Sequence, residues 1–96
     1  MEIKINANKF EPTERLEQFI NKKIAKVERW DNTVNLVEVN MKLVKPETAM
    51  NKEVQINIAS SNGKFFASKT CDTFEEAIDL TLEALERQVK KAKTKE

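Results

Sequence analysis

TFEEAIDLTLEALERQVKKAKTKE, residues 73–96, closes the chain and decides how the rest must pack against it. Phe74, Ala77, Ile78, Leu82, Leu85, Val89 and Ala92 recur mostly three, four or seven apart. That period predicts an α-helix over about 74–93 with one apolar stripe, and such a stripe needs a surface to bury it. Thr73 followed by Glu76 reads as a capping box. The charges are sorted along the segment. Glu75, Glu76, Asp79, Glu83 and Glu86 come first; Arg87, Lys90, Lys91, Lys93 and Lys95 come last. Acid at a helix start and base at its end both favour the helix dipole, so the sorting has a structural explanation before any functional one.

The segments upstream supply the surface. Glu2 to Asn6 alternates, with Ile3 and Ile5 on one face, and reads as a short half-buried strand. Pro12 keeps Glu11 extended, and Thr13 is a candidate N-cap. A helix is expected from there to about Trp30, burying Leu16, Phe19, Ile20, Ile24 and Val27. Arg15, Lys22, Lys26 and Arg29 share a different face of it, with Lys23 on the flank. Asp31-Asn32 turns the chain. A long strand is expected over 34–44, with Val37, Val39, Met41 and Leu43 inward and Leu36 breaking the alternation. A polar loop over 45–52 contains Pro46. A strand over 53–59 points Val54, Ile56 and Ile58 inward. The turn over 60–63 places Asn62 and Gly63 where positive φ is cheap. The strand over 64–71 returns, with Phe65 and Ala67 preferred as its core face over Phe66 and Ser68.

The order is β-α-β-β-β-α, an α+β domain. The first crossover should pair its strands in parallel, and the two hairpin connections pair theirs antiparallel. The simplest packing is a four-stranded mixed sheet with both helices on one face. The 96 residues make one domain, of which 94–96 should fray.

Composition excludes more than it identifies. There is no histidine, so the usual general base and the usual triads are missing. A lone Cys71 allows no intrachain disulfide and suits a reducing compartment. Without histidine or a cysteine pair, a transition-metal site is not expected. The single glycine, Gly63, leaves no phosphate-cradling glycine loop. No apolar run approaches a bilayer span, and the first residues show no signal-peptide core. The expectation is a cytoplasmic, non-enzymatic protein with no cofactor. The net charge is only +1, so distribution has to identify any partner.

If the helices lie side by side, two basic stripes meet. Lys22, Lys23, Lys26 and Arg29 come from the first, and Arg87, Lys90, Lys91, Lys93 and Lys95 from the last. Lys42 and Lys45 would extend the edge. Each phosphate that such a stripe neutralises releases counterions, which favours RNA or DNA. A rigid helix face with long cationic side chains also suits the shape of double-stranded RNA. The plain alternative is a solvated charged face, the usual surface of a soluble protein. Trp30 is better read as a helix-end core anchor than as a base-stacking ring. Phe66 could stack on a base, cover a sheet edge or take a dimer contact. Cys71 has only Lys69 nearby to lower its pKa. Asp72, Glu75, Glu76 and Asp79 are explained largely by the helix start.

Several runs together resemble the ribosome hibernation promoting factor family. DTFEEAID (72–79), then LEALERQVKK (82–91), is similar to that family's Asp-x-aromatic-x-Ala-Ile-Asp run with its following leucine, Arg-Gln and lysines. KIAKVERWD (23–31), VNMKLVK (39–45) and Ala67-Ser68 fit the same pattern in the same order. The resemblance implies a fold akin to double-stranded RNA-binding domains. It implies binding to the small ribosomal subunit between head and body, where mRNA and tRNA would sit, and silencing of translation in nutrient limitation or stationary phase. Its positions make Lys23, Lys26, Arg29, Lys42, Lys45, Arg87, Lys90 and Lys91 the expected contacts to ribosomal RNA; the helix faces add Lys22, Lys93 and Lys95. Ala7-Asn8 stands where the family commonly has a glycine, so that loop should differ. Ending at Glu96, the chain resembles a short form, without the dimerisation domain of long members; some short forms pair ribosomes with help from a second hibernation factor. Off the ribosome it is expected to be monomeric. Two other readings use the same residues: a general double-stranded RNA-binding module, and a protein-interaction domain acting through the open sheet face.

Overall fold

A computed structural model describes residues 1–44 and 50–94. The elements run β1 (Glu2–Asn8), α1 (Glu14–Ile24), α2 (Val27–Trp30), β2 (Leu36–Leu43), β3 (Lys52–Ser60), β4 (Gly63–Cys71) and α3 (Phe74–Thr94). The strands form one sheet in the order β1-β2-β3-β4. β1 pairs with β2 in parallel, and the two following pairs are antiparallel. This is the expected mixed sheet with its helices on one face.

Alternation decides which face. Val37, Val39, Met41, Val54, Ile56 and Ile58 are buried on the helix side, and Ile3, Ile5, Phe65 and Ala67 pack against them. Phe66 points the other way and is 51% exposed, which settles the β4 register as expected. Leu16, Ile20, Ile24 and Val27 cover this surface from the first helical segment, and Phe74, Ala77, Ile78, Leu82, Leu85 and Val89 cover it from α3. Phe10 stacks on Phe74 at 5.0 Å, closing the end of the core below β1. Thr13 accepts from the Leu16 N–H and Thr73 from the Glu76 N–H, both at 3.1 Å, so both helices begin where the caps predicted.

Four details depart from expectation. β2 begins at Leu36, not 34, because Val34 belongs to a turn in which its N–H bonds to the Asp31 carbonyl. Leu36 then faces outward, which accounts for the broken alternation. Leu43 is on the pleat side of Met41 but lies at the strand end and is 40% exposed, not buried. In the β3–β4 turn only Gly63 has positive φ, at 131°. Asn62 instead uses its side chain, which reaches Asp31. Among the described residues, the non-glycine left-handed ones are Lys9, at φ 68°, and Met50, at φ 58°. Lys9 follows the Ala7-Asn8 pair, so the chain turns there on a lysine. Lys45, Lys95 and most of the loop around Pro46 lie outside the described residues.

Candidate nucleic-acid interface

The expected single helix to Trp30 is interrupted, and the interruption shapes the site. Ala25 and Lys26 form a turn between α1 and α2. The Lys26 N–H bonds to the Lys23 carbonyl and the Arg29 N–H to the Lys26 carbonyl, at 3.2 and 3.0 Å. Such three-residue bonds tighten the helix towards three residues per turn, where side chains three apart eclipse. Ile24, Val27 and Trp30 therefore stay in line over the core. Lys23, Lys26 and Arg29 fall in line beside them. Continued α-helical winding would carry each row off its line and round the helix.

α3 presents a second row to the first. Asp79, Glu83, Glu86, Lys90 and Lys93 are spaced four, three, four and three, so they share one flank of the helix. The row changes from acid to base along its length. The helices run alongside each other in the same direction. Lys23 pairs with Asp79 at 3.3 Å near the start, and the Lys93 Nζ donates to the Trp30 carbonyl at 2.6 Å near the end. One recess between them is lined by Lys23, Lys26, Trp30, Asp79, Leu82, Glu83 and Glu86. The next is lined by Arg29, Trp30, Lys90 and Lys93. Base faces acid in the first recess, and base faces base in the second. Lys23 also lies over the Phe19 ring, 5.4 Å from its centroid, and Lys90 pairs with Glu86 at 2.6 Å. These ion pairs are largely exposed, so each contributes only about 0–1 kcal/mol and yields readily to a phosphate.

The structure thus brings together Lys23, Lys26, Arg29, Lys90 and Lys93 of the predicted cations. Lys22 is exposed on α1, one turn before Lys26, and Arg87 lies on the solvent ridge of α3. Lys91 lies on the far flank, three residues after Gln88, whose side chain donates to the Phe66 carbonyl of β4 at 3.0 Å. Lys42 is on the open sheet face, paired with Glu53 at 3.6 Å, and does not join the helix-side group. The sequence understated Trp30. It packs against the core, as expected of an anchor, yet it also lines both recesses. The regular acid-to-base spacing from Asp79 to Lys93 was the available signal for the cleft.

Two further titratable groups are structural. Asp31 is buried and ties α2, β2 and the β3–β4 turn together. Its Oδ1 accepts from the Thr33 N–H and hydroxyl at 2.9 and 2.6 Å, and its Oδ2 from the Asn62 amide at 2.8 Å. Burial pushes this carboxyl up, but the bonds from Asn62, Thr33 and Ser60 outweigh it and hold the carboxyl well below the usual carboxylate range. The Cys71 thiol is buried. Burial first, then the charges of Glu76 and Asp72, push it up against the opposing charge of Lys69. It stays protonated, the opposite of what a reactive thiolate needs.

Comparison with known proteins agrees with this architecture. Residues 3–96 match the family described as Sigma 54 modulation protein / S30EA ribosomal protein. The chain is 32% identical over 95 residues to the ribosome hibernation promoting factor of Escherichia coli (strain K12), covering 99% of this chain and 96% of that protein. It is 28% identical over 96 residues to the factor of the same name from Pseudomonas putida (strain KT2440), covering 100% and 90%. Among solved structures, a ribosomal subunit interface protein from Coxiella burnetii superposes with a TM-score of 0.87 at 19% identity, covering 99% of this chain and 100% of that one. The N-terminal domain of Thermus thermophilus Protein Y gives 0.80 at 23% identity, covering 95% and 98%.

Proposed function

The chain belongs to the Sigma 54 modulation protein / S30EA ribosomal protein family, that of the ribosome hibernation promoting factors, and on that premise we propose that it binds ribosomal RNA of the small subunit through its helix layer and silences translation sterically. One observation carries the reading: the cations of the first helical segment and of α3 converge at one end of a shared cleft, at Arg29, Lys90 and Lys93. Like charges held close repel, and a polyanion relieves that repulsion while releasing its own counterions. The apolar stripes that bury both helices fix these cations on a rigid platform. A rigid domain seated in the decoding region excludes mRNA and tRNA by volume alone and needs no chemistry. Nutrient limitation or stationary phase is the setting in which such silencing serves a cell, and the cytoplasm is its place.

The test is co-sedimentation with small ribosomal subunits. The triple reversal of Lys26, Arg29 and Lys90 to Glu should abolish it while the circular-dichroism spectrum is unchanged, because Lys26, Arg29 and Lys90 are exposed. Undiminished co-sedimentation of that folded variant would sink the reading.

A further inference from the structure

Trp30 is the one tryptophan of the chain, and it stands where the two recesses of the cleft meet. The residue is half-buried, in line with Ile24 and Val27, and its carbonyl accepts from Lys93. Besides closing the core, Trp30 walls a recess of about 280 Å³ whose other walls are Arg29, Lys90 and Lys93. An aromatic face beside clustered cations is the composition of a nucleotide site. The π-face takes a base whatever its identity, and the cations take the phosphates on either side of it. A duplex keeps its bases stacked on one another and offers no free face to an indole.

We infer that this recess takes a single unstacked nucleotide of a single-stranded RNA segment, its base on the Trp30 indole and its flanking phosphates on Arg29, Lys90 and Lys93. The inference rests on the RNA-binding reading above and narrows it from a charged face to one with a defined base-stacking point. The neighbouring recess helps to direct the strand. Asp79, Glu83 and Glu86 repel phosphate there, so the backbone is confined to the basic end of the cleft. Lys90 and Lys93 already hold oxygen partners, the Glu86 carboxylate and the Trp30 carbonyl. Both contacts are exposed and exchangeable, so a phosphate can take their place.

The chain has no tyrosine, so its near-ultraviolet emission reports on this site directly. The whole chain is titrated with an end-labelled oligoadenylate, the same strand with abasic positions, a blunt RNA duplex and adenosine monophosphate. Label anisotropy reports binding of the strands and duplex; indole emission reports stacking. The oligoadenylate should quench the emission and bind about ten-fold more tightly than the abasic strand. Trp30→Phe should keep that preference and Trp30→Leu should lose it. Oligoadenylate that binds without quenching, or no tighter than the abasic strand, overturns the inference and leaves the basic interface standing. Quenching by the duplex or by the free mononucleotide at equal nucleotide concentration overturns the single-stranded source. If no RNA and no small subunit is bound, the underlying functional reading fails as well. Should Trp30→Leu not fold, the abasic comparison on the unaltered chain decides alone.

Discussion

On the side of the sheet that the helices cover, charge is segregated; on the side they leave open, it is interleaved. The open face carries Glu2, Lys4, Glu38, Lys42, Glu53 and Lys64 among Asn6, Asn40, Gln55, Asn57 and Ser68. Strand register sets opposite charges against each other. Lys4 lies across from Glu38, and Lys42 from Glu53. The Asn6 amide donates to both Glu38 and Asn40. Such a face cancels its own field within a Debye length of about 8 Å at physiological salt. The helix layer contains acid and base too, but orders them along its length, so like charges collect at one end. A net charge of +1 therefore describes neither face. What separates them is the repeat: a sheet places neighbouring strands' charges a few ångströms apart, whereas a helix can carry a charge gradient along one flank.

Stability should separate the two faces most strongly. Ile56 and Asn57 are adjacent on β3 and point to opposite faces, one fully buried and one exposed. Ile56→Ala should cost about 2–5 kcal/mol in urea unfolding, from lost burial plus the cavity left behind. Asn57→Ala should stay within about 0.5 kcal/mol. Similar losses at both positions would mean that the open face is covered by something that stabilises it.

Function should divide the faces the other way. Reversal of Lys4, Lys42 and Lys64 to Glu adds as much negative charge as reversal of Lys26, Arg29 and Lys90. If the helix layer is the interface, the sheet-face variant should keep its affinity for small subunits within a few-fold. The helix-face variant should lose about a hundred-fold or more. Its slope of log affinity against log salt should flatten by about one unit per lost phosphate contact. Equal losses from both variants would reduce the effect to bulk charge and remove the case for a defined surface.

The helices, the alternating strands and the caps were legible because each is written as a local period. Phe74 to Val89 names its own buried face, and so do Val54, Ile56 and Ile58. The basic stripes were legible as composition. Their arrangement was not, because it depends on contacts between residues far apart in sequence. The break at Ala25-Lys26 carries no glycine or proline to announce it. Lys42 and Lys91 look like Lys26 in one dimension, and only sheet pleat and helix phase put them on other surfaces. Asp31 reads as an ordinary turn residue until Asn62, brought in by the β3–β4 hairpin, is seen to complete its shell of donors.

Asp31 supports both faces at once, since it locks the end of α2 to the sheet. Asp31→Asn keeps one acceptor oxygen for Thr33 but presents an amide to the Asn62 amide, donor against donor. The cost should be roughly 1–3 kcal/mol at neutral pH. The pH dependence has a fixed sign. The carboxyl is held below its unfolded value, so its contribution is complete above an unfolded pKa of about 3.9 and is lost as pH falls from there through the folded value. The stability gap between the parent chain and Asp31→Asn should therefore be flat from neutral pH down to about pH 5. Below about pH 4 it should narrow. A gap that closed near pH 6 would assign the effect to another group.

The smallest effect bears on the charge gradient itself. Asp79 holds Lys23 at the acidic end of the cleft, through a pair of which Lys23 is the more sheltered partner. Asp79→Asn removes an exposed pair, so stability should fall by less than about 1 kcal/mol. Affinity for RNA should move in the opposite direction. The substitution frees the Lys23 ammonium and removes a charge that repels phosphate, so binding to a plain RNA duplex should strengthen a few-fold. Binding to the small subunit should change less, because its contacts sit at the basic end, around Arg29, Lys90 and Lys93. The ratio of the two affinities is the quantity to measure. If Asp79→Asn narrows it, the acid half of the α3 row acts as a selectivity element, keeping a cationic cleft from accepting any duplex that fits. If both affinities rise together, the acid weakens RNA binding without selecting among RNAs; if neither moves, it serves only the helix dipole.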